Sequence, residues 1–410
     1  MYLHKEIKNR DIVIVGQQPW DVAIGSNCKD IAIEMSKNNR VLYVNSPLDI
    51  STIIHTRKRP EVKKRLSLLH KKMVVTEVQN RLWNYYPDTV ILSVNWINSH
   101  KIFRFFNRIN NKLFSKSIKK AIKHLGFKNI ILFNDNDIFR SFYLKDFLKP
   151  EVSIYYSRDY LLSVDYWKKH GTLLERELIS KSDVCVANST YLAEYCRQYN
   201  PHSYYVGQGC DISMYNFDEG VEEVPQDIIL IKKPIIGYTG FLTSLRLDMK
   251  LLLNIAIAMP DYSFVFIGPE DEDFKESKLH SLQNVFFLGA KIPKTLPAYI
   301  AAFDVCINPQ LISEVTIGNY PRKVDEYLAM GKPVVATKTP AMEIFKQHTY
   351  LAESYNDYCT LIQTALSEDN LTLQQQRKDF ASQHTWEKSV NEIYAAIINT
   401  ASGISLFIYD

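Results

Sequence analysis

A chain of 410 residues has room for two ordinary domains, each with its own core. With 46% hydrophobic and 23% charged residues it reads as globular. Its polar, charged first ten residues do not read as a signal peptide, and no apolar run approaches the ~20 residues of a membrane helix. Six cysteines without a Cys-x-x-Cys pair argue for a reducing compartment and against structural zinc. The net charge of +4 hides an asymmetry. Residues 1–210 hold 33 Lys and Arg against 19 Asp and Glu, and residues 211–410 hold the remaining 16 against 26.

Short β-branched runs alternate with amphipathic segments, the pattern of parallel α/β sheets. Strands are expected in the first half at 11–16, 40–45, 90–95, 129–134, 152–157, 184–189 and 203–209. The first is followed by a loop with Gly16, Gly25 and a Ser26-Asn27 helix start. Such a loop can bring backbone N–H groups to a phosphate or sugar, and a plain strand-to-helix loop fits it equally well.

Positive charge gathers in two patches. One runs Arg57-Lys-Arg59, Lys63-Lys-Arg65 and Lys71-Lys72. The other spans 101–128, with Lys101, Arg104, Arg108, Lys112, Lys116, Lys119, Lys120, Lys123 and Lys128. Either alone reads as a solvated face. Two patches in one half, interleaved with Phe103, Phe105, Phe106, Leu113 and Phe114, favour an anionic membrane surface over nucleic acid.

Asn134-Asp-Asn-Asp137 ends the fourth strand. Asp135 and Asp137 fit a divalent metal, an acceptor-side or catalytic polar role, or simple loop polarity. Arg158-Asp159 follows the fifth strand. Residues 211–233, acidic through Glu219, Glu222 and Glu223, connect to a second set of strands at 235–240, 262–268, 285–289, 305–309 and 333–337. A helix follows over 386–400, and the closing Ile404-Ser-Leu-Phe-Ile-Tyr409 is an apolar tail without a clear role. The domains are read as 1–210, 211–385 and a C-terminal segment 386–410. No Ser/His/Asp hydrolase signature, P-loop or His-rich metal pattern is present.

The stretch 321–335, Pro-Arg-Lys-Val-Asp-Glu-Tyr-Leu-Ala-Met-Gly-Lys-Pro-Val-Val, carries the most information. Pro321 suits a first helical position, Gly331 a left-handed helix end, and Pro333 a stop before a buried strand. Arg322, Lys323 and Glu326 thus fall in one turn at a helix N-terminus, whose free N–H groups and dipole favour phosphate. A carboxylate one turn in can accept from both hydroxyls of a ribose. The plain alternative is a surface helix in which Arg322 and Glu326 pair at i, i+4.

This stretch resembles the nucleotide-binding segment of retaining GT-B glycosyltransferases of the family 4 type, most of all their bacterial surface-polysaccharide and teichuronic-acid branch. The resemblance continues through Ile236-Gly-Tyr-Thr-Gly240, Phe264-Val-Phe-Ile-Gly268, Asn284-Val-Phe-Phe-Leu-Gly289, Leu296-Pro-Ala-Tyr-Ile300 and Phe303-Asp-Val-Cys-Ile-Asn-Pro309. It implies an α/β GT-B fold: two doubly wound, Rossmann-like domains facing a cleft, with helix 386–400 crossing back to the first. The second domain would bind a UDP- or GDP-sugar through Glu326, Arg322, Gly240, Thr239 and Tyr320. The first would bind the acceptor, a glycan or a polyprenyl-linked saccharide.

Arg246 and Lys323 would neutralise the leaving diphosphate, and Asp159 would act in the cleft. The loop of Gly16, Gly25, Ser26 and Asn27 would face the donor phosphate, and Asp135 and Asp137 would serve the acceptor side. No cofactor, metal or nucleic acid is expected. The implied location is cytoplasmic, peripheral on the inner face of the plasma membrane, in polysaccharide or capsule assembly.

Two departures stand out. Phe241 occupies the place of a family Arg. Gly318 stands where the first carboxylate of a Glu-x7-Glu pair is expected, which leaves Glu314 or Ser313 as substitutes. A sugar-nucleotide 2-epimerase of the same fold and a degenerate, non-catalytic GT-B subunit are the rival readings.

Overall fold

The computed structural model describes residues 7–21, 26–69, 71, 74–215 and 224–401. Gly25, Lys72, Glu219, Glu222, Glu223 and the apolar tail 404–409 lie outside the described residues. The chain divides into two compact units, Met1–Gly207 with Trp386–Asp410, and Gln208–Thr385. The division falls three residues before the boundary read at 210/211.

The first unit contains β1 (Asp11–Gly16), β2 (Arg40–Asn45), β3 (Leu48–Asp49), β4 (Val75–Gln79), β5 (Leu82–Tyr85), β6 (Val90–Ile91), β7 (Ile131–Asp135), β8 (Val152–Ser157), β9 (Val184–Ala187) and β10 (Ser203–Tyr205). Eight of them form one sheet in the order β10-β9-β8-β7-β1-β2-β5-β4, and β3 and β6 make a separate short pair. All pairings are parallel except β4 with β5.

Both faces of this sheet are covered, so its strands read as continuous apolar runs. Ile12 and Ile14 pack into one core with Ile31 and Met35, and Val13 and Val15 into another with Phe114 and Ile118. Helix Trp386–Ala401 belongs to the first core through Val390, Ile393 and Ile397. The Tyr394 hydroxyl accepts a 2.9 Å bond from the Asn39 amide.

The second unit contains β11 (Ile235–Thr239), β12 (Ser263–Ile267), β13 (Val285–Phe287), β14 (Val305–Asn308), β15 (Val334–Thr337) and β16 (Tyr350–Ala352). They form one parallel sheet in the order β13-β12-β11-β14-β15-β16. Chain order reverses direction between β11 and β14, and in the first sheet between β1 and β7. At such switch points the carboxyl ends of the strands open a crevice for ligands.

The strand expected over 90–95 is a correction. Only Val90–Ile91 pairs, because the Asn110 side chain takes both the N–H and the carbonyl of Leu92, each at 2.9 Å. Hairpin β4–β5 and edge strand β16 were not foreseen. Pro321 is also corrected: the helix runs Arg322–Ala329 and Pro321 is its N-cap. Gly331 has φ +71°, and its N–H and that of Lys332 close the helix on Leu328 and Tyr327.

Candidate functional site

At the carboxyl edge of the second sheet, β11 ends on Thr239, and Gly240 follows beside Lys323 at the start of helix Arg322–Ala329. The Tyr327 hydroxyl fixes this junction, accepting the Thr239 N–H at 2.9 Å and lying 3.2 Å from the Thr239 hydroxyl. Gly240 has φ +135°, and a Cβ there would stand 2.9 Å from Lys323 Nζ. Glycine therefore leaves room for the lysine ammonium directly over the strand end, where it also caps the Tyr238 ring at 4.9 Å.

Glu326 is half-buried one turn further in. Burial raises its carboxyl above the ordinary range, opposed by Arg322, Lys323 and a hydrogen bond from Tyr215. Arg322 Nε lies 3.5 Å from Glu326 Oε1, so the i, i+4 pair does form. Two cations at the helix start and a carboxylate one turn in therefore share one edge, although the Arg322 and Val324 N–H groups are already taken by the Tyr320 and Pro321 carbonyls. That arrangement can hold a diphosphate and a vicinal diol.

Arg246 lies on the loop after Gly240, with its side chain exposed. Its carbonyl accepts the Leu311 N–H at 2.8 Å, and the Asp248 N–H bonds the Pro309 carbonyl at 3.0 Å. The Arg246 loop is thereby tied to the loop carrying Ser313 and Glu314. Glu314 is exposed and Gly318 buried. Asp248 caps helix Met249–Ala258 through the Leu251 N–H. Tyr320 packs edge-on against Phe345, 5.6 Å between centroids.

Sequence reasoning missed three partners of this helix. Asp325 is fully buried and bonds His384 Nδ1 at 2.6 Å, and burial pushes its carboxyl up. Tyr215 holds Glu326, and Cys210 lies against Arg322. These partners come from opposite ends of the unit, so no local spacing announces them.

In the first unit, Gly16 ends β1 under the Tyr43 ring. A Cβ at Gly16 would stand 2.1 Å from the Tyr43 hydroxyl oxygen, so this glycine has a packing reason of its own. Tyr43 in turn donates to the Gln18 carbonyl at 2.7 Å. Ser26 precedes helix Asn27–Ser36 in an extended conformation without a side-chain cap, and Asn27 lies beside Tyr156.

Asp135 and Asp159 are brought together by a residue between them in space. Arg158 donates to Asp135 at 2.8 Å and to Asp159 at 2.7 Å, and the Gln17 N–H approaches Asp135 at 3.3 Å. Asp137 is separate: it accepts from the Phe139 and Arg140 N–H groups and pairs with the Arg140 guanidinium at 3.1 Å. Its engagement is that of a turn-capping carboxylate. Among the described residues no group of three or more His, Cys, Asp or Glu could hold a metal ion.

The two parallel α/β units have the GT-B fold, which solved structures share over nearly the whole chain. Sucrose-phosphate synthase from Thermosynechococcus elongatus covers 96% of this chain and 100% of its own, with a TM-score of 0.66 at 13% identity. Anabaena HepE in complex with UDP and glucose covers 96% and 100%, with a TM-score of 0.63 at 15% identity. Residues 233–368, which include the helix of Lys323 and Glu326, match the family model Glycosyl transferases group 1. A relative in Bacillus subtilis (strain 168), TuaH, named as a teichuronic acid biosynthesis glycosyltransferase, is 29% identical over 160 residues. That match spans 37% of this chain and 40% of the relative.

Proposed function

We propose that this chain is a glycosyltransferase of the family 4 type. It would move a hexosyl group from a UDP- or GDP-sugar, with retention, to a lipid-linked or polysaccharide acceptor in cell-surface polysaccharide assembly. The observation that carries the reading is the seating of Lys323 over Gly240 with Glu326 one turn deeper. A diphosphate would lie on the Lys323 ammonium and the helix start, and the ribose hydroxyls on the Glu326 carboxylate. The family match over 233–368, the name of the TuaH relative and the UDP bound to HepE support it.

In this reading the acceptor hydroxyl attacks the anomeric carbon on the face from which the diphosphate departs. Arg246, Lys323 and the dipole of the helix start stabilise the charge that builds on the leaving group. Arg158 holds Asp135 and Asp159 as a fixed polar pair on the first unit. The enzyme would work as a peripheral protein on the cytoplasmic face of the plasma membrane, where a polyprenyl-linked acceptor resides.

Phe241 and Gly318, in place of the Arg and Glu expected by resemblance, favour a second reading, a GT-B subunit without catalysis. Calorimetric titration with UDP, GDP and their sugars separates the two. Micromolar binding of one nucleotide supports the enzyme, and a folded chain that binds none overturns it.

A further inference from the structure

We infer that one face of helix His100–Leu125, with Trp96 and Tyr166 at its N-terminal end, is a docking surface for an anionic lipid bilayer. The inference rests on the proposed membrane location and names the surface responsible. The helix is 26 residues long and carries eight Lys and Arg without a single Asp or Glu.

Its inner face is built into the core. Phe103, Phe114, Ile118 and Ala121 are buried there, so two of the aromatic residues read from sequence as flanking the basic patch are unavailable to a membrane. The outer face nevertheless carries a second apolar stripe. Ile102 is 51% exposed, Phe105 63%, Ile109 36% and Leu113 37%, recurring at helical spacing. Lys101, Arg108, Lys112, Lys116, Lys119 and Lys123 are exposed on the same side. Arg104 pairs with Glu177 and Lys120 with Asp88; those six have no carboxylate partner among the described residues.

Four residues before the helix, Trp96 is 75% exposed, and its indole N–H is turned inward to the Ser93 carbonyl. Tyr166, 56% exposed, is tied to this loop by a 2.7 Å bond from Asn95 to its carbonyl. The exposed Lys169 bonds the Trp96 carbonyl at 3.0 Å.

A stripe of large apolar side chains is costly in water, and a row of uncompensated cations repels itself. An anionic bilayer relieves both at once. The lysines meet headgroup phosphates, Ile102, Phe105 and Ile109 enter the acyl boundary, and Trp96 and Tyr166 suit the interfacial layer. A nucleic acid would meet the charge and leave the aliphatic stripe wet. No helix among the described residues is long and apolar enough to span a membrane.

The test is co-sedimentation of the full chain with phosphatidylcholine vesicles and with mixed phosphatidylcholine–phosphatidylglycerol vesicles, at low and moderate salt. Wild type should bind the anionic vesicles and shift its tryptophan emission to the blue, and Trp96→Phe should remove that shift. A triple variant, Lys112→Glu, Lys116→Glu and Lys119→Glu, should lower partitioning by roughly a hundredfold or more. Phe105→Ser with Ile109→Ser should retain weak, fully salt-reversible binding.

Melting curves establish that the variants fold, since every substituted side chain is exposed. The inference is overturned if wild type ignores lipid charge, or if the variants bind as well as wild type. Tighter binding to an RNA oligonucleotide than to vesicles also overturns it, as does a dimer that Phe105→Ser with Ile109→Ser dissolves. Nucleotide titration of the same samples reports on the transferase reading separately.

Discussion

Lys323 and Gly240 share one space: the lysine ammonium lies 2.9 Å from the point where a Cβ on Gly240 would stand. The strand end and the helix start are thus fitted to each other through the absence of a side chain. Gly240→Ala should strain a residue at φ +135° and push the ammonium aside. We expect about 1–3 kcal/mol of lost stability from the backbone, with about tenfold weaker nucleoside-diphosphate binding. Lys323→Ala should lose the binding and keep the stability. The double variant should bind no worse than Lys323→Ala alone, because both changes remove one contact. Additive losses would show that Gly240 acts independently of the lysine.

Glu326→Ala should weaken UDP or GDP binding by about 1–3 kcal/mol, the range for a lost hydrogen-bonding group that is charged. Tyr215→Phe removes one bond that holds the carboxylate and should cost less. Calorimetric titration of the folded variants measures both. Unchanged affinity in Glu326→Ala sinks the ribose assignment and leaves the residue as a partner of Arg322 and Tyr215.

Arg246→Ala should reduce kcat more than donor affinity, since its charge is needed most as the bond to diphosphate breaks. The exposed side chain and the main-chain tie to Leu311 make the substitution unlike a core change, so melting temperature should stay within a degree or two. If only donor KM rises, Arg246 binds substrate without stabilising the transition state.

Most strands were legible because both sheet faces are covered. Asp11–Gly16, Arg40–Asn45 and Val152–Ser157 are buried along nearly their whole length, and such runs announce themselves. Val75–Gln79 is an antiparallel edge with exposed residues, so its pattern carries little burial signal. At Leu92 the ladder is replaced by one side chain, Asn110, and no local rule anticipates that.

In the candidate site, the turn from Arg322 to Glu326 was readable because a helix fixes which residues share a face. The sequence leaves Gly16 open between a ligand-approach glycine and a plain loop, and Tyr43 on the neighbouring strand gives it a packing reason that no local pattern shows. His384 and Tyr215 could not be read, because only the tertiary fold carries them to Asp325 and Glu326.

Glu175 is an independent probe of the first unit. It is almost fully buried and accepts from the Tyr155 hydroxyl at 2.7 Å and the Tyr195 hydroxyl at 3.1 Å. Burial raises its carboxyl to about 7, against the hydrogen bonds of both tyrosines and the charge of Arg176. In the unfolded chain the same group ionises near pH ~4.3. Below that pH both states are protonated and no difference arises. Between there and about pH 7 the unfolded chain gives up a proton that the native state keeps, so native protein binds more protons and stability falls as pH rises. Above about pH 7 the loss is complete and the curve flattens. Glu175→Gln keeps an oxygen for one tyrosine and cannot ionise, so it should be more stable than wild type at about pH 8, by on the order of 1–3 kcal/mol. At about pH 4 the advantage should vanish. Urea unfolding at several pH values measures the gap, and a gap that does not change with pH would mean that Glu175 ionises in the native state at the same pH as in the unfolded chain.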